Sequence, residues 1–339
     1  MAGFDAYFLF GLLSLIVSTI TVVGHSLILV AFHQIRSLTT NPSNRLIQAL
    51  SVCDLSFGVF VFINYGIPIT FGLDNPYGEI GCLISYLVDI TAYLAGNLLL
   101  VAITLDRVQL VSMEYSQYMK SQNKSKISKI IGGCFAVWMT NAIIETGFWN
   151  YAKRNNEAAA NIDFSQYCAY PPRRMSWFSI YTFLMYVTPV ITVGVLSVVF
   201  LFLLRKRLQK STRIGNDSSS RSDATGPDGN TGDKVGKTDG EEEEKGDVVR
   251  KRYLKPAITL GALVAAMALS MLPYCMYLTI ESFTSKTLNY NLMYFMWLIY
   301  ELNPFLDSVF YTATQKTIKE YYWKKFVKMC KVCFPGVKV

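Results

Sequence analysis

Seven long apolar runs constrain the fold of this chain more than any other feature of its sequence. They cover about 8–33, 44–71, 82–112, 128–151, 176–204, 254–281 and 290–313. A helix needs about 20 mostly apolar residues to cross a hydrocarbon layer about 30 Å thick, and every run is long enough. The strands of a membrane barrel need only about ten alternating residues, so the runs favour helices. The sequence therefore predicts an all-α membrane protein, a bundle of seven transmembrane helices.

The composition excludes several other classes of protein. Hydrophobic residues make up 52% of the chain and charged residues only 17%, whereas about a quarter of the residues of a soluble domain are charged. A soluble enzyme and a disordered protein are therefore excluded. Seven cysteines among 339 residues are too few for a small domain held together by disulfides.

The distribution of basic residues predicts the orientation of the chain in its membrane. If the amino terminus lies outside, only five of the 32 Lys and Arg residues lie there with it: Lys153, Arg154, Arg173, Arg174 and Lys286. Because basic residues concentrate on the cytoplasmic side, we expect a multi-pass plasma-membrane protein with an extracellular amino terminus and a cytoplasmic carboxyl terminus. The net charge of +8 reflects this asymmetry, so nucleic acid is not an expected partner.

Two segments stand outside the seven-helix bundle, which we place at 1–313. The segment at about 212–249 is rich in Ser, Gly, Asp and Lys, and is predicted to be a disordered cytoplasmic loop. Residues 314–339 are predicted to form an amphipathic eighth helix and a cytoplasmic tail. The helix would rest on the lipids of the inner leaflet through apolar residues spaced by three or four: Ile318, Tyr322, Phe326 and Met329.

Ionisable residues inside a membrane are costly, so they are the first candidates for function. In the third run, Cys82, Asp89 and Arg107 are separated by 7 and 18 residues, which is about two and five helical turns and places all three on nearly one face. Asp89 then lies about 27 Å above Arg107. A carboxylate at that depth is a natural counter-ion for a cationic ligand from outside; the alternative is a structural hydrogen bond to a neighbouring helix. Asp106 and Arg107 can hold a local carboxylate–guanidinium interaction; the alternative is a simple interfacial charge pair.

At this point the motifs resemble those of rhodopsin-like G-protein-coupled receptors. Asp106-Arg107-Val108 is similar to the family's Asp-Arg-Tyr. The other matching features are Asp54 in Ser-Val-Cys-Asp-Leu, Trp138, Pro189, Leu272-Pro273-Tyr274 and Cys82. The chain departs from the family pattern at His25 in place of asparagine, at Met271 in place of tryptophan, and in the seventh helix, where Pro304 precedes Asp307 and Tyr311.

The resemblance implies a ligand cavity between the third, fifth, sixth and seventh helices. Asp89 falls where receptors for biogenic amines carry their amine-binding aspartate, and would pair with a protonated amine. The expected aromatic and soft walls are Tyr93, Tyr181, Met185, Tyr274, Trp297 and Tyr300. For each of these residues taken singly, ordinary helix packing or lipid contact is the alternative.

Tyr300 and Glu301 compete for one position in this resemblance. Trp297 to Tyr300 resembles the Trp-Leu-Gly-Tyr of amine receptors, but counting back from Tyr311 puts Glu301 at the tyrosine's position. If Glu301 faces the cavity, two acids share it and the ligand is dibasic. The alternative is a glutamate that contacts a backbone or water network.

Deeper in the bundle, the resemblance implies a sodium ion and a switch. Asp54, Asn303 and Asp307 would form a hydrated pocket that holds the sodium, with His25 at its border and Gly96 where many relatives supply a hydroxyl. Arg107 and Tyr311 would exchange partners as the sixth helix moves outward, and so open a cleft for a heterotrimeric G protein.

The cysteines divide by compartment. Cys82 and Cys168 are the two that the topology places outside, where oxidation favours their pairing, as the resemblance also implies. Cys330 and Cys333 lie in the amphipathic tail and are candidates for palmitoylation.

The sequence thus predicts a receptor, not an enzyme, that binds an extracellular cationic small molecule, most simply a biogenic amine, and activates a heterotrimeric G protein. A peptide or lipid agonist, or a seven-helix transporter or channel, is the alternative. An opsin-type light sensor is excluded because the seventh run has no lysine to carry retinal, so we expect no covalent cofactor.

Overall fold

A computed structural model describes residues 6–36, 38, 42–73, 78–155, 176–219, 269–277, 280 and 290–333. We call the transmembrane helices first to seventh in chain order. The first is Ala6–Gln34, the third Gly78–Ser112, the fourth Lys124–Asn155, the fifth Ser176–Ser219 and the seventh Tyr290–Thr314. Of the sixth, 269–277 and 280 are described as helical. The second helix has three parts, Pro42–Val61, Phe62–Gly66 and Ile67–Phe71, and the eighth helix is Lys316–Cys333.

Five of the described helices have membrane-spanning length and composition, as predicted. Those long and apolar enough to cross a membrane by length and composition are Phe8–Gln34, Asn44–Phe71, Leu94–Ser112, Lys124–Ile144 and Val187–Arg207. The seventh helix has 25 residues, and its apolar stretch is interrupted by Glu301 and Asp307. The part of the chain that the structure describes contains no strand, and the prediction of an all-α membrane protein is confirmed.

The first helix shows how the bundle reverses the pattern of a soluble protein. One face presents apolar side chains that are between 42% and 52% exposed: Ile16, Ile20, Val23, Leu27 and Val30. The opposite face is buried. It is polar at its first four positions and apolar at the last two: Ser14, Ser18, Thr21, His25, Ile28 and Phe32. Both sets recur at spacings of three and four residues, so lipid is expected on one side of the helix and the protein interior on the other.

A π turn interrupts the second helix at Phe62–Gly66. Pro68 lies just beyond it, in the first turn of Ile67–Phe71. Proline has no backbone N–H and its ring collides with the preceding turn, so a regular α-helix is disfavoured through this position. The wider turn accommodates one extra residue. The segment ends at Gly72, whose left-handed backbone (φ 61°) suits glycine.

The third helix is at the centre of the bundle, against the second, fourth and fifth, while the first contacts the second and seventh. The main apolar core lies between these helices and includes Leu46, Leu50, Leu99, Ile103 and Met271. Glycine allows the first two helices to approach closely. A Cβ at Gly11 would stand 2.6 Å from the backbone nitrogen of Thr70, and one at Gly58 would stand 2.9 Å from the methyl group of Thr21.

The structure differs from the sequence prediction at two connections. The fifth helix continues to Ser219, although disorder was predicted from residue 212. Adding a residue to an existing helix costs far less than starting one, and 205–214 contains neither Gly nor Pro. The rest of the predicted loop, 220–249, lies outside the described residues. A short helix that we call the loop helix, Tyr115–Ser121, follows the third helix and was not predicted.

Candidate functional site

The third helix supplies the backbone on which the predicted ligand and switch residues are placed. It is continuous from Gly78 to Ser112, so positions 89 and 107 are separated by about five unbroken helical turns. The side chains of Cys82, Asp89 and Tyr93 lie outside the described part of the structure, as does the whole of Cys168. Their contacts, including the disulfide, stay predictions.

Three of the predicted wall residues come together in one aromatic cluster. The ring of Tyr274, in the sixth helix, lies 5.3 Å from Trp297 and 5.0 Å from Tyr300. Tyr65 of the second helix adds a fourth ring, 4.9 Å from Trp297. Tyr274 and Tyr300 are buried, at 6% and 4% exposure. The electron-rich faces of such rings attract cations, and most strongly where water is excluded.

The two predicted wall residues on the fifth helix have different surroundings. Met185 is half-buried and packs against the main core. Tyr181 donates a hydrogen bond from its hydroxyl to the side-chain oxygen of Asn141 in the fourth helix. In this conformation the Tyr181 hydroxyl therefore ties the fourth and fifth helices together.

Tyr300 and Glu301 point to different neighbours. Consecutive residues of a helix are about 100° apart around its axis, and Tyr300 lies in the aromatic cluster. The Glu301 carboxyl contacts the first helix, where the hydroxyl of Ser14 lies 2.8 Å from one oxygen and 2.7 Å from the other, and it also lies near the indole N–H of Trp297 in the aromatic cluster. Glu301 is 2% exposed. The described contacts put the Tyr300 ring in the aromatic cluster, and which of the two residues faces a ligand stays a prediction.

Replacing Glu301 with Gln is expected to preserve folding and agonist potency. The amide offers an oxygen to the Ser14 hydroxyl and an N–H to its oxygen, so both contacts survive without a charge. Replacing Ser14 with Ala should lower the melting temperature of the purified receptor, because it removes the hydroxyl that the buried carboxyl contacts. A fluorescence melting curve measures the stability of both variants, and a dose–response curve measures the agonist potency of Glu301→Gln. A loss of amine potency in Glu301→Gln at normal stability would instead put the carboxylate in the ligand site.

A buried polar pocket lies between the first, second and seventh helices. His25, Asp54, Asn303 and Asp307 are each at most 6% exposed. The Nε2 of His25 lies 2.8 Å from the carbonyl oxygen of Pro304. A carbonyl only accepts, so this nitrogen carries the proton. The same nitrogen lies 3.5 Å from Oδ2 of Asp54, and His25 thus borders the pocket that the resemblance implied.

Several oxygens of this pocket have no hydrogen-bond partner among the residues that the structure describes. They are Asp54 Oδ2, Asn303 Oδ1, Asp307 Oδ1 and the nearby hydroxyls of Ser51 and Tyr311. Buried polar groups are almost always satisfied, so this set of oxygens suits water or a hard cation. A Cβ at Gly96 would stand 3.8 Å from Oδ1 of Asp54, which places that glycine at the pocket wall, where it supplies no hydroxyl.

At the other end of the third helix, Asp106 has three neighbours. One of its oxygens accepts hydrogen bonds from the hydroxyl of Tyr118 at 3.0 Å and from the amide of Gln122 at 2.7 Å. Its second oxygen lies 3.8 Å from a guanidinium nitrogen of Arg107. The loop helix and the residue after it thus hold Asp106, the acid of the predicted switch. Sequence reasoning missed Tyr118 and Gln122, because nothing in a polar connection indicates which way it folds.

The position where the family has a tryptophan carries a different contact in this chain. The side-chain amide of Asn97, in the third helix, donates to the sulfur of Met271 in the sixth at 3.7 Å. Both residues are buried. Asn97 was another residue that the sequence did not single out; its only signal was an amide within an apolar run.

Two comparisons bear on the family. A profile described as 7 transmembrane receptor (rhodopsin family) matches residues 24–311, which is most of the chain. The chain is also similar to a protein of Caenorhabditis elegans named probable muscarinic acetylcholine receptor gar-1, with 28% identity over 130 residues. That match covers 38% of this chain and only 18% of the relative. The chain belongs to the rhodopsin family of seven-transmembrane receptors.

Proposed function

We propose that this receptor binds a small extracellular amine and, in response, activates a heterotrimeric G protein. The observation that carries the proposal is the placement of an acid, Asp89, on the same unbroken helix as Arg107 and about five turns away from it. A membrane-embedded acid is costly and needs a partner. A protonated amine that enters from outside supplies one.

The aromatic cluster and the relative support a cationic ligand. Tyr274, Trp297 and Tyr300 form a closely packed set of rings on the sixth and seventh helices, which in this family border the cavity that the third helix faces. The similar worm protein is named as a receptor for acetylcholine, whose quaternary ammonium is a cation of this class. Aromatic rings around an acid are a recurrent way of recognising such groups.

The orientation follows from the basic residues. We infer that the amino terminus is extracellular and that the Arg107 end faces the cytoplasm of a cell with this receptor in its plasma membrane. Arg107, Tyr311 and the exposed Lys206 would then lie where a G protein binds. The protein acts by shifting between closed and open forms of that face, as a receptor and not as an enzyme.

A panel of agonists tests the ligand class against its alternatives. Cells that report second messengers are exposed to monoamines, diamines, peptides and lipids, with the Asp89→Ala variant alongside at matched surface expression. An amine response that is lost in Asp89→Ala supports the proposal. A response to peptides or lipids that survives in the variant replaces it, and ligand-gated current in membranes that lack G proteins would favour a channel.

We also propose that the polar pocket holds a sodium ion, on Asp54, Asn303 and Asp307. An oxygen of each of these residues has no hydrogen-bond partner in the described part of the chain, and such oxygens fit a hard cation. Sodium chloride is expected to weaken agonist binding at least about fivefold in the native receptor and to have no such effect in Asp54→Asn. Competition binding measures the shift, and potassium chloride at equal ionic strength is the control. Equal effects of the two salts would mean that the pocket holds water only.

A further inference from the structure

The inner ends of the third and fifth helices are joined by a small apolar cluster that is separate from the main core. Leu110 and Val111 come from the third helix, Phe200 and Leu204 from the fifth, and Tyr118 from the loop helix. All five are buried, at 8% exposure or less. The cluster brings the end of the third helix next to the residues that follow Leu204 on the fifth helix.

Arg207 lies one turn beyond Leu204 and connects the same two helices by hydrogen bonds. One of its terminal nitrogens donates to the carbonyl oxygen of Leu110 at 3.2 Å, and the other donates to that of Met113 at 2.7 Å. The third helix ends at Ser112. Leu110 is therefore in its last turn and Met113 just past it, where carbonyl groups lack the usual donor four residues on.

An arginine is well suited to this position for two reasons. Its rigid planar fork presents donors that reach two acceptors at once, which the single ammonium of lysine does not reproduce. Its positive charge also meets the negative end of the helix dipole. The two residues before Arg207 on the chain, Arg205 and Lys206, are both exposed.

In the conformation where Arg207 makes these two bonds, Arg107 lies next to Asp106, the residue before it on the chain. Asp106 in turn is held by Tyr118, a member of the apolar cluster. The resemblance implies that the cleft for a G protein opens as the sixth helix moves outward, and the fifth helix is joined to the sixth along the chain. An outward displacement of the inner end of the fifth helix together with the sixth separates it from the third. Any such movement breaks both bonds from Arg207.

We propose that Arg207 is a positioning residue that holds the fifth helix against the end of the third and keeps the cytoplasmic face closed until an agonist binds. Coupling to a G protein is part of the function proposed above, and the inference rests on it. Removing the Arg207 side chain shifts the equilibrium towards the open form without touching the ligand site.

The test compares Arg207→Ala with Arg207→Lys and with Arg205→Ala, a matched control that removes the same charge two residues away. Basal second-messenger production is measured per receptor at the cell surface. We expect at least about a fivefold rise in Arg207→Ala, a smaller rise in Arg207→Lys and none in Arg205→Ala. Equal basal activity in all of these variants and the native receptor would overturn the proposal. If Arg207→Ala does not reach the surface, Arg207→Lys decides by the same criterion.

A distance measurement distinguishes a failure of this inference from a failure of the proposed function. Spin labels at Gln117 and Lys206, both exposed, report the separation between the loop helix and the fifth helix in purified receptor. Arg207→Ala should broaden and lengthen this distance whether or not any G protein responds. A merely structural role would lower the melting temperature and leave both the distance and the basal activity unchanged, which would refute the positioning role.

Discussion

Replacing Asp89 with Asn is expected to weaken the response to an amine agonist by about 30- to 3,000-fold. Truncating one partner of a buried, hydrogen-bonded charge pair costs about 2–5 kcal/mol, because the other charge is left without compensation in a dry site, and each 1.4 kcal/mol is about tenfold. Asparagine keeps the shape and loses the charge. The measurement is the concentration of agonist that gives half of the maximal response, at matched surface expression.

Two variants control for this result. Asp89→Glu keeps the charge but moves it by one methylene, so its loss of potency should be smaller. Glu301→Gln replaces a buried acid of the seventh helix, whose carboxyl contacts Ser14, and potency should stay close to that of the native receptor. If Asp89→Asn responded normally while properly expressed, no amine would be bound through this acid.

Replacing Arg107 with Ala is expected to separate binding from signalling. Truncating an arginine at the centre of an interface costs at least about 2 kcal/mol, or about 30-fold in coupling, so G-protein activation should fall below detection in ordinary assays. Ligand affinity should be retained. The end of the third helix should stay folded, because Asp106 keeps its bonds to Tyr118 and Gln122.

The measurement pairs radioligand binding with nucleotide exchange on a purified G protein. Arg107→Lys keeps the charge without the planar fork and is expected to recover only part of the exchange. Full exchange by Arg107→Ala at normal agonist potency would contradict the assigned role, and would move the search for the coupling residue to other positions at that end of the bundle.

The long helices could be predicted from the sequence because membrane thickness fixes their length. The first helix was predicted at 8–33 and is found at Ala6–Gln34, and the seventh was predicted at 290–313 and is found at Tyr290–Thr314. Residues on one helix could be related by periodicity, so the placement of positions 89 and 107 needed no coordinates.

Contacts between distant parts of the chain could not be predicted in this way. Ser14 and Glu301 are separated by 287 residues, and no local pattern links a serine of the first helix to an acid of the seventh. In the sequence, Arg207 is one of many basic residues that the orientation of the chain in the membrane already explains. Its two bonds to the third helix depend on how the fifth helix packs, which hydrophobicity does not encode. The register of Tyr300 and Glu301 stayed open for the same reason.

The π turn at Phe62–Gly66 affects how this receptor should be aligned with its relatives. A turn that holds one additional residue rotates everything beyond it by about 100° compared with an uninterrupted α-helix. Counting along the second helix from Asp54 therefore gives the wrong facing direction for Tyr65 and later positions. An alignment with a relative whose second helix is regular must therefore skip one residue at the π turn. Without that shift, ligand-contact positions taken from the relative would be assigned to the wrong side chains of this receptor.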